Sequence, residues 1–352
     1  MVDPAGDSPG QALARRFYQR AVAPSLAGLP HAAALLGDGS EVLGYDDTVS
    51  TDHNFGPRVQ LFLEPGAEPA AVRAALAGLP ERFEGWSGLQ VEVTTAGEFF
   101  ASVLGVDPAA GMRLADWLLT PTQRFASLTA GPVFHDPAGS LTARRAAIAW
   151  YPDDIWRYVL AAGWLRVGQE QPFVGRAGGV GDEFGAAILA GRLARDLVRL
   201  TFLVERRWPP YSKWLGRAFA DLPLAERVGP PLRAALAATG WREREAALCA
   251  AATEVAAATN RLGLAEPVDP APRQFYTRDI RVVDAEGFTT ALIAAITDPE
   301  VRALLARLGV RRPDEPIATL PGSIDQAVDS TDVLANVDRC RAAAPMLGLG
   351  PG

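Results

Sequence analysis

The amino-acid sequence predicts an α/β domain with a small mixed sheet over residues 1–140, followed by an all-α helical bundle domain over residues 141–352. Up to Gly139, short strand patterns alternate with turns and short helical patterns. Beyond Gly139, long amphipathic helical patterns replace this mixture. A chain of 352 residues suits about two domains, and 49% apolar with 21% charged residues is an ordinary globular composition.

Hydrophobic periodicity predicts the elements of the first domain. Residues 11 to 36 begin as a helix, with Leu13, Phe17 and Val22 at roughly helical spacing, and Pro24 is expected to interrupt it. The remaining elements are a strand at 58–64, a helix at 68–78, a strand at Leu89–Thr94, helices at 97–105 and 111–129, and a short strand at Val133–Asp136.

The second domain is expected to be a series of amphipathic helices. Their expected ranges are 153–171, 182–207, a helix starting at Ser212, 224–238, 241–262 and 287–308. The helix at 182–207 is expected to be the longest, and a glycine-rich connector at Gly175–Gly181 precedes it. A tail rich in Pro, Gly and Asp begins at Arg311, and its pairs Asp325-Gln326 and Asp329-Ser330 have no explanation in the sequence alone.

The amino-acid composition and net charge indicate which kinds of partner and which cellular compartment to expect. The net charge of -7 and the pI near 5.2 disfavour binding to a nucleic-acid backbone, so a small molecule or a protein is the expected partner. No apolar stretch is long enough to span a membrane, and the N-terminus lacks the pattern of a signal peptide. Two cysteines do not make a disulfide framework, so we expect a reduced, cytoplasmic protein. High Ala, Arg, Gly and Pro usage is typical of a GC-rich bacterial genome, and the oligomeric state stays open.

The stretch from Gly39 to Leu63 has the composition of a site for a metal-bound phosphate. Gly39 lets the backbone approach a ligand closely, and the Ser40 hydroxyl can donate a hydrogen bond to a phosphate oxygen. In an extended segment Asp52 and Asn54 point to the same side, and two converging oxygen ligands suit Mg²⁺. The alternative is an ordinary polar loop, because Gly, Ser, Asp and Asn are common turn residues.

Glu92 is the candidate third carboxylate. Leu89–Thr94 alternates apolar and polar residues, so Glu92 lies on the opposite face from Val91 and Val93. If this strand lies beside the one that carries Asp52, Glu92 can act as a metal ligand or as a base. The alternative is an exposed polar position on an edge strand. His135 and Asp136 could also contact a substrate, although a turn pair at the end of a strand is the commoner situation.

Lys213 is the single lysine among the 34 lysine and arginine residues. A compact ammonium group is not equivalent to a guanidinium where one phosphate oxygen must be contacted in a tight space. Lys213 is expected in the first turn of a helix, with Ser212 as its cap, although a cation there opposes the helix dipole. The alternative is chance survival of one lysine codon. Arg176, in the glycine-rich connector, is a further candidate contact for an acidic ligand group, whereas acids at 182 and 183 need no function at a helix start.

These motifs resemble a known family. A Gly-Ser pair followed about a dozen residues later by an Asp-x-acid strand is similar to the signature of the nucleotidyltransferase superfamily. The longer string from Leu43 to Arg58 resembles a narrower bacterial group, domain of unknown function 4037. Later segments resemble the same group, so the resemblance covers nearly the whole chain: Asp116-Trp117-Leu118, Trp150-Tyr151-Pro152, Gly175-Arg176, Gly181-Asp182-Glu183, Pro210 to Gly216, Asp325-Gln326 and Asp329 to Asp332.

The resemblance implies a Mg²⁺-dependent nucleotidyltransferase that moves an NMP group from an NTP, with ATP expected, to a hydroxyl of a small molecule or protein. The implied metal ligands are Asp52, Asn54 and Glu92; the implied nucleotide-binding residues are Gly39, Ser40, Arg58, Arg176, Tyr211 and Lys213. The site would lie in a cleft between the domains. Asn54 departs from the pattern, which has an acid there, and removes one negative charge. A catalytically weak or inactive nucleotide-binding protein is therefore the alternative.

Overall fold

The computed structural model describes residues 6–47, 55–310, 317 and 319–350. The chain divides into two compact units, Met1–Asp116 with Thr122–Ala149 and Trp117–Pro121 with Trp150–Gly352. Residue 140, where the sequence suggests a boundary, is the first residue of a helix of the first unit, Ser140–Ala147. The chain is a mixed α/β protein with a small mixed sheet and many helices, which confirms the fold class at this level.

The first unit contains a four-stranded mixed sheet with the order β5-β2-β1-β6. Strand β1 runs antiparallel to both of its neighbours, whereas β2 and β5 are parallel. A short separate hairpin pairs β3 with β4. The strands are β1 (His31–Ala34), β2 (Arg58–Leu63), β3 (Arg82–Phe83), β4 (Trp86–Ser87), β5 (Gln90–Thr94) and β6 (Val133–His135).

Helices cover both faces of this sheet. On one face Val59 and Leu61 pack with Phe17 and Val22 in a fully buried core, and on the other Phe62 meets Phe99 edge to face at 5.4 Å between ring centroids. The helices are α1 (Pro9–Phe17), a π-helical turn (Tyr18–Val22), α2 (Ala23–Ser25), α3 (Pro69–Leu76), α4 (Ala96–Leu104), a 3₁₀ turn (Pro108–Ala110), α5 (Leu114–Leu119), α6 (Thr122–Thr129) and α7 (Ser140–Ala147).

Three local expectations for the first unit are wrong. Strand β1 falls inside the stretch that begins with a helical pattern, because pairing on both of its edges overrides the weak strand preference of its alanines. Pro24 does not interrupt the helical run, which continues from α1 through the π-helical turn to Ser25. The single helix expected at 111–129 is two helices, which separate at Pro121.

The second unit is helical apart from a short β7–β8 hairpin that the sequence patterns do not predict. Its elements are α8 (Asp153–Gly178), α9 (Glu183–Val204), α10 (Ser212–Ala220), α11 (Ala225–Ala237), α12 (Trp241–Arg261), β7 (Arg273–Gln274), β8 (Arg281–Val282), α13 (Ala285–Ala294), α14 (Pro299–Arg307), α15 (Ile324–Ala327), α16 (Thr331–Leu334), α17 (Val337–Ala342) and a 3₁₀ turn (Ala344–Leu347). No helix among the described residues combines the length and apolar character that a membrane span requires.

Helix α8 differs most from expectation. It continues through Pro172, which is buried inside it, and most of the supposed glycine-rich connector is its last turns. At 26 residues α8 is longer than α9, which has 22. The helix expected at 287–308 is two helices, because Asp298 caps α14 and Pro299 occupies its first position.

An aromatic cluster explains several of the segments that resemble the family. Within the second unit, Trp208 lies 4.4 Å from Trp150 and 4.6 Å from Tyr151 between ring centroids. Trp117 lies 5.6 Å from Tyr151, which accounts for the inclusion of residues 117–121 in this unit. Aromatic pairs at these distances stabilise beyond the area they bury, so these residues serve the core.

The C-terminal segment is held by arginines of α8 and α9. Arg195 makes two hydrogen bonds to Asp329, at 2.9 and 2.8 Å. Arg166 donates to the carbonyl of Gln326 at 2.5 Å, and Arg199 donates to that of Asp325 at 3.1 Å. The Asp325-Gln326 and Asp329-Ser330 pairs, which the sequence leaves unexplained, therefore attach the tail to the helical core.

Candidate functional site

The loop that follows β1 is attached at its start to the middle of the sheet of the first unit. The amide of Leu36 donates to the side-chain oxygen of Gln60 at 2.9 Å, and the amide of Gly37 donates to the carbonyl of Ser127 at 3.1 Å. Gln60 is only 3% exposed although it stands in the apolar run of β2. The burial of Gln60 in an apolar strand is explained by this hydrogen bond, which fixes the start of the loop.

Gly39 has a backbone conformation that only glycine adopts readily. Its φ is +135°, and a Cβ built there would lie 2.5 Å from a carboxylate oxygen of Glu41. The chain then turns, with the Tyr45 amide donating to the Ser40 carbonyl at 2.9 Å. Within the described part of the chain, the Ser40 hydroxyl has no hydrogen-bond partner. The turn thus brings a folded-back carboxylate and an available hydroxyl together.

Arg58 holds the same turn from the start of β2. One of its terminal nitrogens donates to the Asp38 carbonyl at 2.6 Å and to a Glu41 carboxylate oxygen at 2.7 Å. The side chains of Arg58 and Glu41 are 22% and 13% exposed. The Arg58 Nε is buried and finds no acceptor among the described residues. Arg58 is therefore mainly a support for the turn, and a phosphate would have to compete with Glu41 for it.

Glu92 lies on the strand next to β2. In the parallel pairing of β2 with β5, Glu92 is the partner of Gln60. Paired residues point to the same face of a sheet, as do residues two apart in a strand, so Glu92 shares the face of Gln60 and Arg58. Glu92 is exposed and makes no ion pair within the described ranges. The condition set from the sequence was a position beside the strand that carries Asp52, and Asp52 lies outside the described residues, so the role of Glu92 stays a prediction.

The two expected principal metal ligands, Asp52 and Asn54, lie outside the described residues. Within the residues that are described, no group of three or more His, Cys, Asp or Glu side chains is placed to hold a metal ion. Asp46, from the same acidic loop, is engaged elsewhere: its carboxylate accepts a hydrogen bond from the Gly10 amide in α1 at 2.6 Å. Glu92 is thus the expected ligand that the structure locates.

The remaining nucleotide-binding candidates lie in the second unit. Lys213 is exposed in the first turn of α10, as expected, and its ammonium nitrogen lies 4.8 Å from the ring centroid of Trp214. The Trp214 indole N–H donates to the Tyr211 hydroxyl at 2.8 Å. Tyr211 occupies the N-cap position and Ser212 the first helical position, so the expected Ser212 cap is wrong. Tyr211, Lys213 and Trp214 thus form one small exposed cluster.

Arg176 is not in a loop. It lies in the last turn of α8, exposed, with its guanidinium 5.3 Å from the ring centroid of Phe173. A cation there is favourable to the helix dipole. Asp182 caps α9 by accepting from the Gly185 amide at 2.7 Å, and Glu183 pairs with Arg244 at 2.8 Å. These acids therefore have structural roles.

Asp136 and His135 also have structural explanations. The Asp136 carboxylate accepts from the Thr142 amide at 2.8 Å and from its hydroxyl at 2.7 Å, at the start of α7. Burial alone would raise the pKa of Asp136, but these bonds and others from the same turn lower it overall. Partial burial, and then the nearby His31, lower the pKa of His135. The two imidazole centroids are 4.9 Å apart.

Sequence reasoning missed Gln60, which holds the start of the loop at Leu36, and Glu41, which lies against Gly39 in the turn. Gln60 had a signal, because it is the only polar residue in the run Val59 to Leu63. Glu41 had none, because an acid in an acidic loop looks like any other until its carboxylate is placed against Gly39 and Arg58.

Comparison with known proteins finds one match, and most of it falls in the second unit. No curated protein and no solved structure matches the chain. Residues 117–215 match a family model, and they include the aromatic cluster, α8, α9 and the Tyr211–Trp214 cluster. The matching family is the one described as Domain of unknown function (DUF4037), which confirms the resemblance to that narrower group over residues 117–215.

Proposed function

We propose that this protein is a Mg²⁺-dependent nucleotidyltransferase that moves an NMP group from an NTP to a hydroxyl of a small molecule or protein. The hydroxyl oxygen of the acceptor forms a bond to the α-phosphorus, and the bond from that phosphorus to the pyrophosphate oxygen breaks. The hydroxyl proton passes to a base. Such a reaction needs positioning and charge neutralisation more than a protein nucleophile.

One observation carries the proposal: β5 lies parallel and next to β2, with Glu92 on the face from which Gln60 holds the start of the loop and Arg58 holds the Gly39-Ser40 turn. The resemblance to the superfamily calls for a phosphate-binding turn, a metal-binding strand start and a third acid on a neighbouring strand. In the proposal, the Gly39-Ser40 turn would supply the first and Glu92 the third. Asp52 and Asn54 come shortly before β2 in the chain and would supply the second.

Each residue has a distinct part in the proposal. Asp52, Asn54 and Glu92 would hold Mg²⁺, which when bound neutralises phosphate charge and polarises the reacting oxygen. Ser40 would donate to a phosphate oxygen, with Gly39 allowing close approach. Glu92, which has no partner among the described residues, could instead accept the acceptor's proton.

The second unit would contribute Lys213, Tyr211 and Arg176. In the proposal, Lys213 neutralises the triphosphate, while Tyr211 and Arg176 contact the nucleotide or the acceptor. The exposure of Lys213 supports this part, because its ammonium group lies against the Trp214 ring and pairs with no acid among the residues that the structure describes.

The alternative is a nucleotide-binding protein without turnover. Two observations favour it: Asn54 is a neutral ligand where the superfamily pattern has an acid, and Glu41 already neutralises Arg58. Both reduce the electrostatic stabilisation that phosphoryl transfer requires. The two hypotheses share the binding site and differ only in chemistry.

A labelling experiment separates them. The protein is incubated with Mg²⁺, a bacterial metabolite and protein pool, and each of the four α-labelled NTPs. Transfer of label by the parent, and none by Asp52→Ala, supports the enzyme. Equal labelling by both proteins overturns it.

The variant Asn54→Asp then tests the effect of having asparagine where the superfamily pattern has an acid. An enzyme adapted to asparagine is expected to lose activity or to change its metal preference when the acid is restored. If instead the parent binds NTP, transfers no label, and Asn54→Asp begins to transfer it, the protein is the inactive nucleotide binder.

A further inference from the structure

A cavity of about 320 Å³ lies within the second unit, between the middle of α8, the β7–β8 hairpin and the start of α13. Its volume is at the lower end of the range for small-molecule sites. The parts of the wall that matter here are Gly168, Gln171, Phe275, Tyr276 and Glu286. None of these residues belongs to the proposed nucleotidyltransferase site.

Gln171 is a buried polar side chain without a partner. It is 5% exposed, and neither its amide nitrogen nor its amide oxygen has a hydrogen-bond partner among the residues that the structure describes. Buried polar atoms are nearly always paired, because an unpaired one keeps its full desolvation cost. A glutamine in this cavity wall calls for a group that accepts one hydrogen bond and donates another.

Pro172, which follows Gln171, changes the hydrogen bonding of the Gly168 carbonyl. Pro172 has no N–H, so the carbonyl of Gly168 loses the donor that a helix normally supplies four residues on. Gly168 lines the same cavity. Gln171 therefore presents one acceptor and one donor on this side of α8, and the Gly168 carbonyl beside it lacks its usual helical donor.

An aromatic side chain stands at the rim. Tyr276 lines the cavity and is 82% exposed, and its backbone φ is +50°, in a region that non-glycine residues rarely adopt. Its ring lies 4.8 Å from that of Phe275. Backbone strain of this kind concentrates at ligand sites, and an exposed ring at a cavity rim can cover a flat ligand.

The charge of the wall excludes phosphate. Arg273 also lines the cavity, but two hydrogen bonds of 2.8 and 2.6 Å pair it with Asp284. Glu286 is exposed and has no ion-pair partner in the described part of the chain. The wall therefore carries an uncompensated negative charge, which repels anionic ligands.

We propose that this cavity binds an unphosphorylated heteroaromatic base: a flat ring with an N–H donor beside an acceptor on one edge, as in adenine. Glutamine recognises adenine in this two-bond manner through its exocyclic amine and the adjacent ring nitrogen. The Gly168 carbonyl accepts from a further N–H, and Tyr276 covers the ring. The proposal does not depend on nucleotidyl transfer.

Calorimetric titration of the full chain tests it, with adenine as the probe. Adenine is expected to bind, and purine, which has the same rings without the amine, at least about tenfold more weakly. Adenosine is expected to bind more tightly than AMP, and Glu286→Gln to reduce that difference. No heat from adenine at millimolar concentration, or equal binding of purine, overturns the proposal.

Variants locate the binding. Gln171→Leu is expected to weaken adenine binding at least about tenfold while melting at or above the parent's temperature, because an apolar side chain has no unpaired polar atoms. Tyr276→Ala, in an exposed hairpin, is expected to weaken binding with unchanged melting, and it tests the site even if Gln171→Leu does not fold.

Two controls separate this cavity from the proposed active site. Phe184→Ala removes another exposed aromatic side chain, one outside the cavity wall, and is expected to bind adenine as the parent does. Asp52→Ala is also expected to retain adenine binding. Loss of binding in Asp52→Ala, with none in Gln171→Leu, would assign the adenine site to the first unit and overturn the inference.

Discussion

Replacement of Glu41 by glutamine tests whether the Arg58–Glu41 pair holds the Gly39-Ser40 turn on the sheet. The variant Glu41→Gln keeps the shape of the side chain and removes its charge. It leaves the Arg58 guanidinium, 22% exposed, without its anion at 2.7 Å. Arg58 would keep its bond to the Asp38 carbonyl, so the change isolates the ion pair.

Burial sets the expected magnitude. Exposed ion pairs contribute up to about 1 kcal/mol, and breaking a fully buried pair costs about 3–5 kcal/mol. Because these two side chains are mostly but not wholly buried, we expect a loss of about 2 kcal/mol in the unfolding free energy of the first unit. Such a loss corresponds to a roughly 30-fold increase in the opening equilibrium.

Hydrogen exchange followed by mass spectrometry measures this locally. The peptide that covers β2 is expected to lose roughly 30-fold in protection, whereas peptides from α8 and α9 are expected to be unchanged. The matched control is Glu84→Gln, which breaks the more exposed pair with Arg16, both side chains being 33% exposed. That variant is expected to lose less than about 1 kcal/mol.

The single variants Glu41→Leu and Arg58→Met, together with the double variant that combines them, form a thermodynamic cycle. The double variant is expected to be more stable than the sum of the single changes predicts, because it leaves no unpaired charge. A change of less than about threefold in β2 protection in Glu41→Gln, or additive single changes, would refute the argument that this pair holds the turn.

Three other predictions follow from packing and protonation. Gly178→Ala is expected to destabilise the second unit by about 1–3 kcal/mol in urea unfolding, because the new Cβ would lie 2.0 Å from Trp241; Gly191→Ala, in open space on α9, should instead stabilise it by up to about 1 kcal/mol. Burial, and to a smaller extent Glu245, raise the pKa of the Cys249 thiol to about 12. Its reaction with a disulfide reagent at pH 8 should therefore be about a thousandfold slower in the folded than in the unfolded protein. Fast labelling of Cys249 in the folded protein would contradict this. Because the folded-state pKa of Asp136 is lowered, its carboxylate stabilises the fold above the unfolded pKa of about 3.9 and ceases to do so as pH falls through the lower folded value. The stability difference between the parent and Asp136→Asn should therefore shrink below about pH 4, and a difference independent of pH would be inconsistent with the cap.

The structure gives the aromatic segments within the family match a plain role in packing. Trp117, Trp150, Tyr151 and Trp208 pack together in one cluster of the second unit. Their resemblance to the family therefore reflects the packing of this unit and is no evidence of chemistry. Within the matched range, Lys213 is exposed beside Trp214 and is the better place to look for function.

The sequence alone determined the elements whose pattern is local. Strands β2 and β5 and helices α3, α4 and α12 fall where their periodicity places them, because period-two and period-3.6 patterns report which face of each element is buried. It also determined that Gly39 begins an unusual turn and that Lys213 stands in the first turn of a helix.

Only the tertiary structure decided the rest. Strand β1 exists because β2 and β6 pair with it, and α8 continues through Pro172 because the surrounding helices bury it. The attachment of the turn by Gln60 and Arg58, and of the C-terminal segment by Arg195 and its neighbours, joins residues that are far apart in the chain. Such contacts are absent from any local pattern, since hydrogen bonds and ion pairs between distant residues depend on where the whole chain places their atoms.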